Sequence, residues 1–356
     1  MPHDGGPDNT QQRGRRSCAY LRRRAQAPAM IDITDAPTES DLMAVGPPDT
    51  EPSDFDAFWR STRDVAMEVD PQPAIRPIWS PDPAISVFEV QYTSYGGERI
   101  GGWMTVPEDP RGAVVVGHGY GVRKWFEMDY SERGFATFFP SIRGFGLSGS
   151  RSIPWITAEH VVHGIEHRDS YVLRGCVADL WLAASVLLDY LSGVTVGSPL
   201  PLAYVGGSFC GGLGALMLPW DERFRAAYLR HPTFGHHPIR LEIPSAGSAE
   251  SVRLYALDHP EVRDVLAYYD APTAAPRVTI PTLCAPALLD PKVTPLGQFA
   301  IANALRNREL FTLPVGHAAG PPGYDETLRT LTERVFSFFE DHLGISDTTQ
   351  SARSTP

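Results

Sequence analysis

Three residues of the kind that handle acyl groups occur in the order Ser208, Asp290, His317. Each follows a short apolar run: PLAYVGG before the serine, PTLCAPALL before the aspartate and ELFTLPVG before the histidine. A serine hydroxyl is a weak nucleophile until a base takes its proton. His317 can be that base and can then protonate the leaving group, while Asp290 fixes the imidazole tautomer and stabilises the imidazolium. Gly206-Gly207-Ser208-Phe209-Cys210 fits the Gly-x-Ser-x-Gly pattern of a strained strand-to-helix turn, with Cys210 where the last glycine is expected. Cys210 is expected to pack the turn and to take no part in the chemistry. An oxyanion needs two backbone N–H donors, one from the residue after the nucleophile and one from an earlier loop. Phe209 fills the first place. Tyr120, in the segment His118-Gly119-Tyr120-Gly121 after GAVVVG, fills the second.

A second cluster competes with this one. His160, His163 and His167 in EHVVHGIEH fall at spacings of three and four, which on a helix would share a face. The pattern His-Glu-x-x-His is absent and Gly164 weakens the helix, so a solvated or substrate-facing loop is expected rather than a metal site. No glycine-rich phosphate loop follows any strand.

The elements that must position these residues alternate. The strands expected from apolar runs are VFEVQYTS and RIGGWMTV, paired as a hairpin about Tyr95–Glu98, then GAVVVGH, FATFFPS, PLAYVGG, FRAAYLR, PTLCAPALL and ELFTLPV. Helical spacing marks 54–69, 169–191 and 324–343. Prolines 71, 73, 77, 81 and 83 read as a connector. Continuous apolar strands alternating with helices predict an α/β fold: a mostly parallel, doubly wound sheet with helices on both faces. Between 231 and 279 the pattern loosens, the natural place for a small lid insertion over the carboxyl edge of the sheet, where such folds bind ligands.

The chain has 356 residues, 31 basic and 42 acidic, for a formal net charge of −11. That balance argues against a nucleic acid or an anionic membrane as partner. The first 29 residues depart from it, with six arginines against two aspartates. They read as a disordered basic extension, 30–345 as the catalytic domain, and 346–356 as a disordered tail. The extension has no apolar core of secretory length. The four cysteines (Cys18, Cys176, Cys210, Cys284) lack paired spacing. Together these point to a reducing, cytoplasmic location. The longest apolar segment, VADLWLAASVLLDYL, is interrupted by Asp179 and Asp189 and is too short to span a bilayer.

From about Met30 to Leu343 the chain resembles the acetyl xylan esterase / cephalosporin C deacetylase family of carbohydrate esterases, within the α/β-hydrolase superfamily. DFDAFW resembles the family's opening helix, TSYGGERIGGWMTVPED its early hairpin, HGYG its oxyanion loop and SIRGFGLSG its Arg-Gly-Gln segment. YYDAPTAAPRVTIPTLCAPALLDPKVTP resembles the stretch leading into its acidic residue. The resemblance implies Ser208 as nucleophile, Asp290 as acid, His317 as base, Tyr120 and Phe209 as oxyanion donors, and Arg143 as a structural brace of the active-site loops. It implies no metal or organic cofactor, a small acylated molecule as substrate, and a homo-oligomer. The chain departs from the family pattern at Phe209-Cys210 for Gln-Gly, at Phe145 for the glutamine of Arg-Gly-Gln, and at Ala318 after the histidine, as a divergent member would. The expected activity is a serine esterase for short acyl groups, acetyl first, with the rings of Tyr120 and Phe209 narrowing the acyl side. A deacylase or peptidase-like hydrolase, or a hydrolase-fold binding protein without turnover, are the alternatives.

Overall fold

A computed structural model describes residues 37–345. The expected extension at 1–29 and tail at 346–356 lie outside the described residues. Helix α1 (Phe55–Met67) buries Phe55, Phe58, Trp59 and Ala66, the helical spacing seen in the sequence. Strands β1 (Ala74–Ile78), β2 (Ile85–Thr93) and β3 (Arg99–Pro107) follow, then β4 (Gly112–Val116) and β5 (Phe135–Pro140). Helix α2 (Val172–Val194) leads into β6 (Leu202–Gly207), α3 (Phe209–Met217) and β7 (Phe224–Arg230). The segment after β7 carries α4 (His237–Glu242), α5 (Ala249–Asp258) and α6 (Val262–Leu266). The chain then forms β8 (Thr282–Ala285), β9 (Ala287–Leu289), α7 (Pro295–Ala304), β10 (Arg308–Leu310), β11 (Leu313–Val315) and α8 (Tyr324–Leu343).

Nine strands form one sheet in the order β1-β2-β3-β5-β4-β6-β7-β8-β10. Pairings from β1 through β3 to β5 are antiparallel, and those from β5 through β4 to β10 are parallel. The central strands are apolar throughout because both faces are covered. In β4, Ala113 and Val115 join a core with α1, α2 and α3, whereas Val114 and Val116 join a second core with α8. β6 alternates in the same way, with Leu202 and Tyr204 on one side and Ala203 and Val205 on the other. The 237–266 helices pack onto the first core through Leu241, Val252, Val262 and Leu266.

Three details differ from the pattern in the sequence. The proline-rich connector contains β1, whose Pro77 lies opposite Phe88; β1 is an edge strand, where a missing N–H costs no ladder bond. PTLCAPALL is broken at Pro286 into β8 and β9, and ELFTLPV is broken between β10 and β11. Strands β9 and β11 leave the large sheet and pair with each other in parallel. Helix α2 begins at Val172 rather than Asp169.

Candidate active site

Ser208 stands between the end of β6 and the first residue of α3, with φ +51° and ψ −107°. A positive φ on a residue with a side chain is strained and is held only by its surroundings. Gly206 makes the turn possible, since a Cβ there would meet the Cys210 carbonyl oxygen at 2.3 Å. The Ser208 N–H donates to the Arg230 carbonyl on β7 at 2.8 Å. Phe209 and Cys210 replace no required function of the turn: Cys210 packs its Cβ against Gly117, where an added Cβ would lie 2.4 Å away. Its carbonyl accepts from the Tyr204 hydroxyl at 2.6 Å, and burial pushes the thiol up to about 12.

The small ladder of β9 and β11 brings Asp290 and His317 to this turn. His317 Nδ1 lies 2.7 Å from Asp290 Oδ2, and His317 Nε2 lies 2.9 Å from Ser208 Oγ. His317 also has positive φ, +49°. The Asp290 side chain is fully buried. Burial favours the neutral form and by itself would raise the pKa, but the His317 partner and the backbone N–H groups of Val293 and Lys292 outweigh that and hold the carboxyl below the usual range. Gln298 was not singled out from the sequence, where it reads as one polar residue inside a helix. It is fully buried; its amide nitrogen donates to Asp290 Oδ2 at 3.0 Å and to the Val293 carbonyl at 2.8 Å. Its amide oxygen accepts from the Ala287 N–H at 2.9 Å.

On the other side of Ser208 lies the loop after β4. Gly119 approaches the serine so closely that a Cβ there would be 3.7 Å from the Ser208 Cβ. The Tyr120 ring stacks on the Phe209 ring at 3.9 Å between centroids. Phe209 is fully buried among Tyr120, Phe145, His160 and Phe234, so its ring does not narrow an open acyl pocket. Only Tyr120, half-buried, is left for that role. His118 braces the loop: its Nδ1 meets the Gly119 carbonyl at 2.7 Å and its Nε2 accepts from the Ile142 N–H at 2.9 Å. Burial lowers its pKa to about 4.

Arg143 reaches Asp179 of α2 with both Nε and Nη2, at 3.0 and 2.7 Å, and donates to the Tyr95 carbonyl at 3.0 Å. Burial disfavours the guanidinium charge, but the Asp179 carboxylate overrides it and holds the pKa above the ordinary range. His160 connects this ion pair to the loop. Its Nε2 meets the Arg143 carbonyl at 3.1 Å and its Nδ1 meets the Tyr120 hydroxyl at 3.3 Å.

The three-histidine cluster therefore divides. His160 is fully buried, a correction to the solvated loop expected for it, and the helix there covers only Thr157–His160. His167 faces solvent and pairs with Asp169 at 3.4 Å. A cavity of about 320 Å³ lies on the α8 side of β6, lined by Gly206, Gly207, Arg230 and Phe336 but by none of Ser208, Asp290 and His317.

A parallel-centred sheet with a strained serine after one strand, and an aspartate–histidine pair after two others, is the architecture of an α/β-hydrolase. The sequence model of the acetyl xylan esterase family matches residues 32–328, and the chain belongs to that family. It is 24% identical over 248 residues to the acetyl esterase Axe7A of Xylanibacter ruminicola, covering 65% of this chain and 55% of that protein. The chain thus spans about half the length of that relative. In fold it is similar to an acetyl xylan esterase from Paenibacillus sp. R4, with TM-score 0.69, 23% identity, and coverage of 84% of this chain and 99% of the other. Acetyl xylan esterase 1 from Thermoanaerobacterium sp. JW/SL YS485 is similar too, with TM-score 0.69, 20% identity, and coverage of 83% and 98%.

Proposed function

We propose that the protein is a serine esterase that removes short acyl groups, acetyl first, from sugars or other small alcohols through an acyl-enzyme. The observation that carries this reading is the unbroken hydrogen-bonded line Asp290–His317–Ser208, at 2.7 and 2.9 Å, within a chain of the acetyl xylan esterase family. Ser208 Oγ attacks the ester carbonyl as His317 Nε2 takes its proton. The backbone N–H groups of Phe209 and Tyr120 receive the oxyanion, and neither donates to a backbone carbonyl elsewhere among the described residues. His317 then protonates the departing alcohol, and water repeats the sequence on the acyl-serine. Arg143 acts through the loops it braces. Three buried free thiols, Cys176, Cys210 and Cys284, support a reducing, cytoplasmic setting, and membership of the family supports a homo-oligomer. Among the described residues no helix is long and apolar enough to cross a membrane.

The test is covalent labelling with a fluorophosphonate alongside turnover of p-nitrophenyl acetate, acetylated xylose and cephalosporin C. One label on Ser208 is expected, lost with turnover in Ser208→Ala, where kcat should fall by ~10³-fold or more. Labelling that persists in the alanine variant overturns the assignment, and the sugar and cephalosporin arms distinguish the alcohol.

A further inference from the structure

The end of β7 sets a second histidine beside the proposed base. His231 has φ +45° and is 6% exposed. Its backbone N–H donates to the Ala285 carbonyl on β8 at 2.9 Å, and its ring centroid lies 5.3 Å from that of His317. Its Nε2 is buried and meets no hydrogen-bond partner among the described residues. Buried polar atoms are nearly always paired, and an orphan calls for a strain, catalytic or ligand explanation. The proposed mechanism gives this imidazole nothing to do.

One ligand-capable atom from each of His231, Asp290 and His317 lies within 4.8 Å of the others. Two imidazoles and a carboxylate are donors that borderline transition-metal cations accept, whereas Mg²⁺ and Ca²⁺ prefer all-oxygen sets. A tetrahedral zinc with ligands at roughly 2.1 Å keeps its donors about 3.4 Å apart. The cluster must therefore close by at most about 1.4 Å, a movement within reach of an imidazole turning about its own side-chain bonds.

We propose that His231, Asp290 and His317 form an inhibitory site for a Zn²⁺-class cation, with His231 supplying the ligand that captures it. Bound through Nδ1 of His317, the cation displaces the Nδ1 proton, which moves to Nε2, so the ring faces Ser208 with an N–H instead of a lone pair. Bound through Nε2, it takes the lone pair that faces Ser208. Either way the imidazole can no longer act as a base. The loss of turnover rests on the proposed role of His317, whereas the binding itself does not.

The test uses the full-length protein stripped with EDTA. Zn²⁺ is titrated while p-nitrophenyl acetate hydrolysis is followed, and Co²⁺ binding is followed separately by visible absorption. Micromolar Zn²⁺ is expected to lower the wild-type rate at least tenfold, with EDTA restoring it and Mg²⁺ having no effect. His231→Phe, which keeps the ring volume, should need at least tenfold more Zn²⁺ for the same inhibition and should lose the tetrahedral Co²⁺ band. His231→Gln serves as the second variant if the phenylalanine impairs folding. Equal Zn²⁺ sensitivity in wild type and variants, or a wild type that binds neither ion, overturns the proposal. Should the protein prove to hydrolyse no ester, the Co²⁺ band in wild type and its loss in the variant still decide the site.

Discussion

Leu289 and Val315 lie opposite each other in the two-stranded ladder of β9 and β11, and the Gly316 N–H donates to the Leu289 carbonyl at 2.8 Å. Asp290 and His317, the next residues along, thus share one frame. Gly316 is required at that junction, because a Cβ would meet Asp290 Oδ2 at 2.4 Å. Asp290 and His317, the proposed acid and base, are thereby held relative to each other by the small ladder.

Gln298 ties that frame to its surroundings, so its loss should act on the rate more than on substrate binding. Gln298→Leu removes the amide bond to the Asp290 carboxylate and leaves the Ala287 N–H unpaired. A hydrogen bond to a charged group is worth ~1.5–3 kcal/mol, which corresponds to roughly 10–100-fold in rate. Steady-state kinetics should show kcat reduced by that factor with KM within about threefold, and Gln298→Asn should not restore it, since its shorter reach misses Asp290. An unchanged kcat would show that the ladder alone positions Asp290.

Cys210 and Gly117 should be energetically coupled. Gly117→Ala drives a methyl to 2.4 Å from the Cys210 Cβ, an overpacking that costs ~1–3 kcal/mol. In a Cys210→Gly background the nearest remaining neighbour is the Tyr204 hydroxyl at 3.2 Å, so the same alanine should cost much less. A double-mutant cycle by urea unfolding measures the difference, expected at ~1–2 kcal/mol. Cys210→Gly alone should keep activity within about tenfold, because a buried thiol with its pKa near 12 supplies no nucleophile at neutral pH. Strict additivity would refute the packing account.

Legibility in the sequence followed the physics of each element. Strands buried on both faces, such as β4 and β6, announce themselves as apolar runs, and α8 was readable to its ends because Gly323 and Gly344 cap it with positive φ. The positions of Ser208, Asp290 and His317 were readable because each directly follows such a run. The departure of β9 and β11 from the main sheet was not, since Pro286 inside an apolar run marks a break without saying where the chain goes next. Gln298, His160 and His231 were not readable in their roles either. Their burial and partners come from contacts with residues far along the chain, as between Tyr120 and His160, 40 positions apart, or between His231 and His317, which no local period encodes. The fully buried Phe209 ring was misplaced for the same reason: its position after Ser208 fixes the backbone and not where the ring packs.

Stability should fall on the acid side. Burial lowers His118 to about 4, His160 and His231 to about 3, and His237 well below its ordinary value. Unfolded, each returns to about 6.5. The unfolded chain therefore binds more protons below that pH, so this contribution is complete above about 6.5 and is lost as pH falls toward 4. Asp270 works in the opposite sense, since burial raises it to about 7, and it offsets about one of these histidines. Each histidine can cost up to ~1.4 kcal/mol per pH unit. Tm should drop steeply between pH 6.5 and 4.5, and His160→Phe, set among the rings of Tyr120, Phe145 and Phe209, should make the slope shallower. A Tm that is flat across this range would contradict the neutral, buried state of these imidazoles.

Acyl-chain preference rests on Tyr120. Its ring is pinned on two sides, by the stack on Phe209 at 3.9 Å and by the hydroxyl contact to His160 at 3.3 Å, and a Cβ on the preceding Gly119 would lie 3.7 Å from the Ser208 Cβ. A ring pinned beside the proposed nucleophile, Ser208, cannot swing aside for a longer chain. An open groove would reward each added methylene with ~0.8 kcal/mol of burial, whereas a closed one penalises it by ~1–3 kcal/mol of overpacking. We expect kcat/KM for p-nitrophenyl esters to fall at least tenfold from acetyl to octanoyl, equivalent to ~1.4 kcal/mol of transition-state binding. Tyr120→Ala keeps the backbone N–H but removes the ring, so it should narrow the acetyl-to-octanoyl ratio even while lowering both rates. The ratio is the decisive readout, because general damage to the site lowers both esters alike and leaves it unchanged. A wild-type rate that rises from acetyl through butyryl to octanoyl would exclude the short-acyl reading and assign the site to long-chain esters.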